Sequence, residues 1–124
     1  MRKTAESNRG NKVYDCPVEL ALDVLGGKWG LPIVARLTSG TQRYSELKRS
    51  LPSISERMLI KQLRRLEADG IVHRNQYPEV PPRVEYSLSE VGLSLIPALD
   101  QLGTWAVKHL PERLSFLQDK QNDT

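Results

Sequence analysis

Long hydrophobic runs are missing from this chain. No stretch approaches the roughly 20 apolar residues that a membrane helix needs, and no apolar run follows the basic N-terminus as a secretory signal would require. The expected location is therefore the cytoplasm. A single cysteine, Cys16, excludes an intrachain disulfide and any cysteine-rich zinc site. The two histidines, His73 and His109, are far apart and have no companions at zinc-ligand spacing. No nucleophile–base pair, paired carboxylates or phosphate-cradling glycine loop stands out, and GGK at Gly26 to Lys28 lacks the rest of a P-loop. No metal, no cofactor and no catalysis are expected.

What is present suits one folded domain. The chain has 124 residues, the size of a single core. Residues 1–12 and 119–124 are polar and aperiodic, so a flexible N-terminal arm and a disordered tail are expected around a domain spanning 13–118. The net charge is only +3, but it is unevenly placed: Arg43 to Arg83 holds nine basic and five acidic residues. Positive charge gathered in mid-chain points to a polyanionic partner, although solvated helix faces are the commoner reason for such residues.

Helical and strand signals follow in order. Cys16 at the N-cap, Pro17 at the first helical position and Glu19 in the first turn open a helix carrying Val18, Ala21, Leu22 and Leu25. Gly26-Gly27 closes it. A second helix is expected from about Trp29 to Thr38, with Ile33, Val34 and Leu37 inward and Pro32 in or just after its first turn. A third is expected from about Tyr44 to Leu51, ended by Leu51-Pro52. Ser55 then caps a fourth, which runs to Asp69 with Gly70 as its stop. Beyond Gly70 the period changes to two. Val72, Arg74 and Gln76 alternate with His73, Asn75 and Tyr77, and Val84, Tyr86 and Leu88 share a face after the PEVPPR stretch. That pattern is a proline-stiffened hairpin. Ser89 should cap one long final helix bearing Val91, Leu95, Leu99, Leu102 and Ala106, bent at Pro97 and ended by Pro111. The order matches a winged helix-turn-helix, a mainly α fold with a small β-hairpin.

The fourth helix carries the functional signal. At about 100° per residue, Leu59, Leu63 and Leu66 fall within roughly 60° of arc, and Arg57, Lys61, Arg64 and Arg65 lie opposite. One side packs and the other is cationic, which suits a helix entering the major groove of B-DNA. Arg57 and Lys61, in the N-terminal half, are placed for base edges. Arg64 and Arg65 are placed for phosphates. Ser53 and Ser55 offer hydroxyl and backbone N–H contacts to a phosphate. In the hairpin, Arg74 and Arg83 flank a loop that can reach the minor groove or its phosphates, with a plain surface hairpin as the alternative. Arg43 completes the candidate DNA-binding set. Trp29 and Trp105 suit core or dimer aromatics, or an aromatic-lined effector pocket.

The C-terminal apolar residues Leu95, Leu99, Leu102, Trp105, Leu110, Leu114, Phe116 and Leu117 exceed what a small body can cover. They are expected at a twofold homodimer contact, which would set two reading helices about one DNA turn apart on a pseudo-palindromic operator. A winged-helix protein-interaction module that never touches DNA is the alternative reading.

Four stretches, CPVELALDVLGGKW (Cys16 to Trp29), RYSELKRSLPSISERML (Arg43 to Leu59), QLRRLEADGIVHR (Gln62 to Arg74) and YPEVPPRVEYSLSEVG (Tyr77 to Gly92), together resemble the HxlR-type family of bacterial transcription regulators. These are relatives of the MarR-type winged-helix regulators. The resemblance covers about Cys16 to Leu110. It implies a dimeric regulator, often a repressor, with N- and C-terminal helices at the subunit contact. In some members the cysteine matching Cys16 senses electrophiles or oxidants, several of them through a second cysteine that this chain lacks. Pairing of Cys16 with Cys16 and capping by a small thiol stay open. A helix N-terminus favours the thiolate, while a lone cysteine is more often a small buried hydrophobe.

Overall fold

The computed structural model describes residues 12–117. The expected tail at 119–124, and all but the last residue of the expected arm at 1–12, lie outside these. Elements follow in the order α1 (Pro17–Leu25), α2 (Gly27–Leu37), β1 (Gln42–Arg43), α3 (Tyr44–Ser50), α4 (Glu56–Ala68), β2 (Val72–Tyr77), β3 (Arg83–Leu88), α5 (Glu90–Leu93) and α6 (Ile96–His109), then a 3₁₀ turn at Pro111–Arg113. The chain divides into two compact units, one ending at Leu93 and the other beginning at Ser94.

The first unit holds the core. Ile33, Val34 and Leu37 of α2 are buried, with Leu47 of α3, Leu51 and Ile54 of the α3–α4 turn, Leu59, Leu63 and Leu66 of α4, and Ile71, Val72, Tyr86 and Leu88 at the sheet. Each such side chain contributes about 1.5–3 kcal/mol on leaving water. The α1–α2 corner depends on two glycines. Gly26 has φ 68°, a left-handed conformation that lets its N–H reach the Leu22 and Asp23 carbonyls. A β-carbon on Gly30 would fall on the Leu25 carbonyl oxygen, so α2 approaches the end of α1 only through glycine.

Three local expectations need correction. Helix α2 begins at Gly27, two residues earlier than its sequence suggested, so Pro32 lies inside the helix. The proline leaves the Lys28 carbonyl without its helical donor, and Lys28 is exposed, so water can serve that oxygen. The hairpin is joined by a third strand, giving the order β1-β3-β2, with Gln42 opposite Tyr86 and Arg43 opposite Glu85. Two residues are too few to carry an alternation signal. The long last helix is in fact two helices. Ser89 does cap, its Oγ accepting from the Gly92 N–H at 3.0 Å, but α5 ends after one turn. Pro97 has no N–H to offer the Leu93 carbonyl, which breaks the ladder there, and the proline sits instead in the first turn of α6.

The apolar residues of α1 are less covered than their spacing implies. In α1 only Leu25 is buried, while Val18 and Leu22 are 64% and 56% exposed. In the second unit α6 has no buried residue.

Candidate nucleic-acid interface

Helix α3, the Leu51–Ser55 turn and α4 form the helix-turn-helix. Two buried side chains, Leu51 and Ile54, anchor the turn, and the Ile54 N–H donates to the Leu51 carbonyl at 3.2 Å. Ser55 then caps α4, its Oγ accepting from the Met58 N–H at 3.1 Å. The cap leaves Ser53, Ser55 and the first turn of α4 at the surface. At the start of α3 the Glu46 carboxylate accepts from the Arg43 N–H at 2.8 Å, which fixes where the Arg43 side chain leaves the backbone.

The structure divides the cationic side of α4. Arg57, Lys61 and Arg64 are exposed, and among the described residues none of them forms an ion pair. Arg65 is half-buried and turns the other way, toward the α1–α2 corner. Its guanidinium carbon lies 4.0 Å from the point a Gly26 β-carbon would occupy. The neighbouring Gln62, which spacing alone gave no role, is buried on that same side, with its Oε1 2.9 Å from the same point.

Arg64 instead faces the hairpin. It lines a cleft of about 840 Å³ with Arg43 of β1, Tyr44 and Ser45 of α3, and Ile60 and Glu67 of α4. Arg74, Glu79, Pro81, Pro82, Arg83, Val84 and Tyr86 form the hairpin side. Four of the nine arginines and lysines expected to bind polyanion or lie near it in sequence thus meet around one concavity, though they come from four separate segments.

The two hairpin arginines are not equivalent. Arg74 is exposed and donates to the Gln76 amide oxygen at 3.1 Å. Arg83 is held within the hairpin. It contacts Glu79 at 3.0 Å and Glu85 at 3.5 Å, and its guanidinium stacks 4.2 Å from the centre of the Tyr77 ring, the residue opposite it in the ladder. Those contacts stiffen the neck of the wing and neutralise much of the Arg83 charge.

Tyr44, which its sequence context did not single out, sits in the cleft wall. Its hydroxyl is buried and, among the described residues, has no hydrogen-bond partner. Burial above all, then the Glu56 carboxylate and Tyr86, raise its pKa above the usual 10.0. The phenol therefore stays protonated throughout the neutral range.

Other candidates are dispersed. Cys16 is half-buried at the N-cap of α1, where its backbone carbonyl accepts from the Leu20 N–H at 3.2 Å and its thiol makes no capping bond. His73 and His109 are exposed, and His109 packs its ring 5.5 Å from that of Trp105. Among the described residues no three potential metal ligands of the His, Cys, Asp and Glu type come together. No helix among them is long and apolar enough to cross a membrane. In the second unit Leu95, Leu99, Leu110, Leu114 and Leu117 are half-buried, while Leu102, Trp105 and Phe116 are exposed.

This geometry has counterparts among known proteins. The model of the HxlR-like helix-turn-helix family matches residues 24–114. The chain belongs to that family. It is similar to the HTH-type transcriptional regulator YtcD of Bacillus subtilis, 52% identical over 99 residues that cover 80% of this chain and 79% of that one. The crystal structure of YtcD superposes with a TM-score of 0.74 at 51% identity, over 77% of this chain and 98% of its own. The redox regulator HypR in its reduced form superposes with a TM-score of 0.72 at 48% identity, covering 80% of this chain and all of that one. The chain is a winged-helix transcriptional regulator.

Proposed function

We propose that this HxlR-type regulator binds double-stranded DNA sequence-specifically as a homodimer in the cytoplasm, and that it represses. One observation carries the reading: α4 packs Leu59, Leu63 and Leu66 inward and leaves Arg57, Lys61 and Arg64 exposed, without ion pairs among the described residues, beside an arginine-lined cleft. A helix so capped and so charged is suited to the major groove, with the wing arginines on the adjoining backbone. Ser53, Ser55, Arg43 and Arg74 are the proposed phosphate contacts, Arg57 and Lys61 the base contacts. Arg83 acts chiefly by holding the wing, and Arg65 contributes least.

The homodimer is supported by the apolar surface of α1 and α6. Leu102 and Trp105 are 62% and 54% exposed, a cost in water that a second copy would remove. Leu95, Leu99, Leu110, Leu114, Phe116 and Leu117 extend that surface.

The test is a duplex selected from a random library with the full chain, then titrated at rising salt. Release of counterions from several phosphates makes affinity fall steeply as salt rises. Failure to enrich any duplex favours the protein-interaction module and overturns the proposal.

A second reading concerns Cys16 as an oxidant or electrophile sensor. It is favoured by the likeness to HypR, whose name makes it a redox regulator, and by the position of the thiol at a helix N-terminus. With one cysteine per chain, Cys16–Cys16 pairing and capping by a small thiol are open to an oxidant, and direct alkylation of the thiolate is open to a quinone. Cys16→Ser should abolish the effect of quinone or hypochlorite on DNA binding; an unchanged response overturns the sensor.

A further inference from the structure

We infer that Ile60 is the side chain with which α4 recognises the C5-methyl group of a thymine in each half-site, an inference that rests on the DNA-reading role proposed above. Ile60 follows Arg57 by three residues and precedes Arg64 by four, so the three share one helix face. Ile60 is 40% exposed at the edge of that face, between its two arginines and the exposed carboxylates of Glu56 and Glu67. The core does not require it there, because Leu59, Leu63 and Leu66 already fill the inward stripe at 0–1% exposure. Local preference does not require it either, since a β-branched residue is a poorer helix former than the straight-chain alternatives. What remains is a branched apolar group on the surface of the helix, lining the same cleft as Arg64. The floor of the major groove presents hydrogen-bond donors and acceptors and one kind of apolar group, the thymine methyl. Arginine and lysine gain nothing from that methyl, whereas Ile60 can bury it.

The experiment uses the full chain and the duplex it selects from a random library. Each thymine of the selected site is replaced in turn by deoxyuridine, which deletes only the methyl. At one position per half-site the replacement should weaken binding about four-fold, the effect of one buried methyl. With Ile60→Ala the same replacement should make no difference, and Ile60→Val should retain part of the effect. Circular dichroism melting checks that the variants keep the fold. Specific binding that is indifferent to every methyl, or a methyl effect that survives Ile60→Ala, overturns the inference and leaves the DNA-reading role standing. A library that yields no enriched duplex removes that role, and this inference with it.

Discussion

Helices α4 and α6 are nearly equal in length, 13 and 14 residues, and both carry apolar side chains at spacings of three and four. Yet α4 buries its leucines within its own unit, whereas α6 buries no residue at all. The difference fits the two partners proposed above, DNA and a second copy. With its apolar side satisfied, α4 exposes Arg57, Lys61, Arg64 and Ile60 beside the carboxylates of Glu56 and Glu67, a surface cationic on balance that suits a polyanion with a groove. The surface of α6 is apolar where α4 is charged, and it suits a second protein surface. Helix α1 also leaves most of its apolar side uncovered, with only Leu25 buried.

This contrast has measurable consequences. Leu63→Ala should cost about 2–5 kcal/mol in urea denaturation, since the cavity would open in a closed core. Loss of under 1 kcal/mol would mean that α4 is not packed as described. Trp105→Asp should leave the winged-helix core folded but weaken self-association by at least about 2 kcal/mol, roughly thirty-fold. Sedimentation would then shift toward the 14.1 kDa monomer. An unchanged particle mass would place the dimer contact elsewhere.

Smaller effects separate neighbours on α4 and in the cleft. Arg57→Ala should cost about 1–3 kcal/mol of operator affinity and relax preference at one base pair. Arg64→Ala should lower affinity for all duplexes alike and reduce the salt slope by about one; Arg65→Ala, half-buried and turned away, should change the slope less. Equal slopes for the two variants would contradict the division of the cationic face.

The smallest effect is expected at Tyr44. Removing a buried, unpartnered hydroxyl by Tyr44→Phe should be neutral or stabilising by about 1 kcal/mol at neutral pH. The sign at high pH follows from its raised pKa. Below pH 10 the phenol is protonated in both folded and unfolded chains. Above it the unfolded chain loses the proton first, so stability falls until the folded pKa is passed. Phenylalanine should flatten that alkaline decline, as read by denaturant midpoints at pH 9 to 11. An identical decline in the variant would discount the burial of this hydroxyl.

Much of the first unit was legible in the residue order, because its signals are local. Ser55 is a cap whose hydroxyl needs only the Met58 N–H three residues on. Leu59, Leu63 and Leu66 mark the buried stripe by spacing alone, and Val84, Tyr86 and Leu88 mark the inner face of a strand. At β1 the reading failed because distant backbone decides. Strand β1 exists only because β3 pairs with it. The break before α6 follows from a single missing N–H at Pro97, which spacing of apolar residues does not register.

Charge shows the same limit at the site. Helical periodicity groups Arg64 with Arg65, but it contains no term for what flanks the helix. With the hairpin on one side and the α1–α2 corner on the other, adjacent arginines part company. Residue order likewise records the charge of Arg83 without its neutralisation, because Glu79, Glu85 and Tyr77 converge on it only through the folded hairpin. The family, the caps and the amphipathic stripes were set by short-range chemistry, which linear order specifies directly. Which cations stay free of ion pairs among the described residues, which hydroxyl is sealed in, and how little of α1 is covered are properties of surfaces. Those surfaces form only when segments far apart in the chain exclude water from each other.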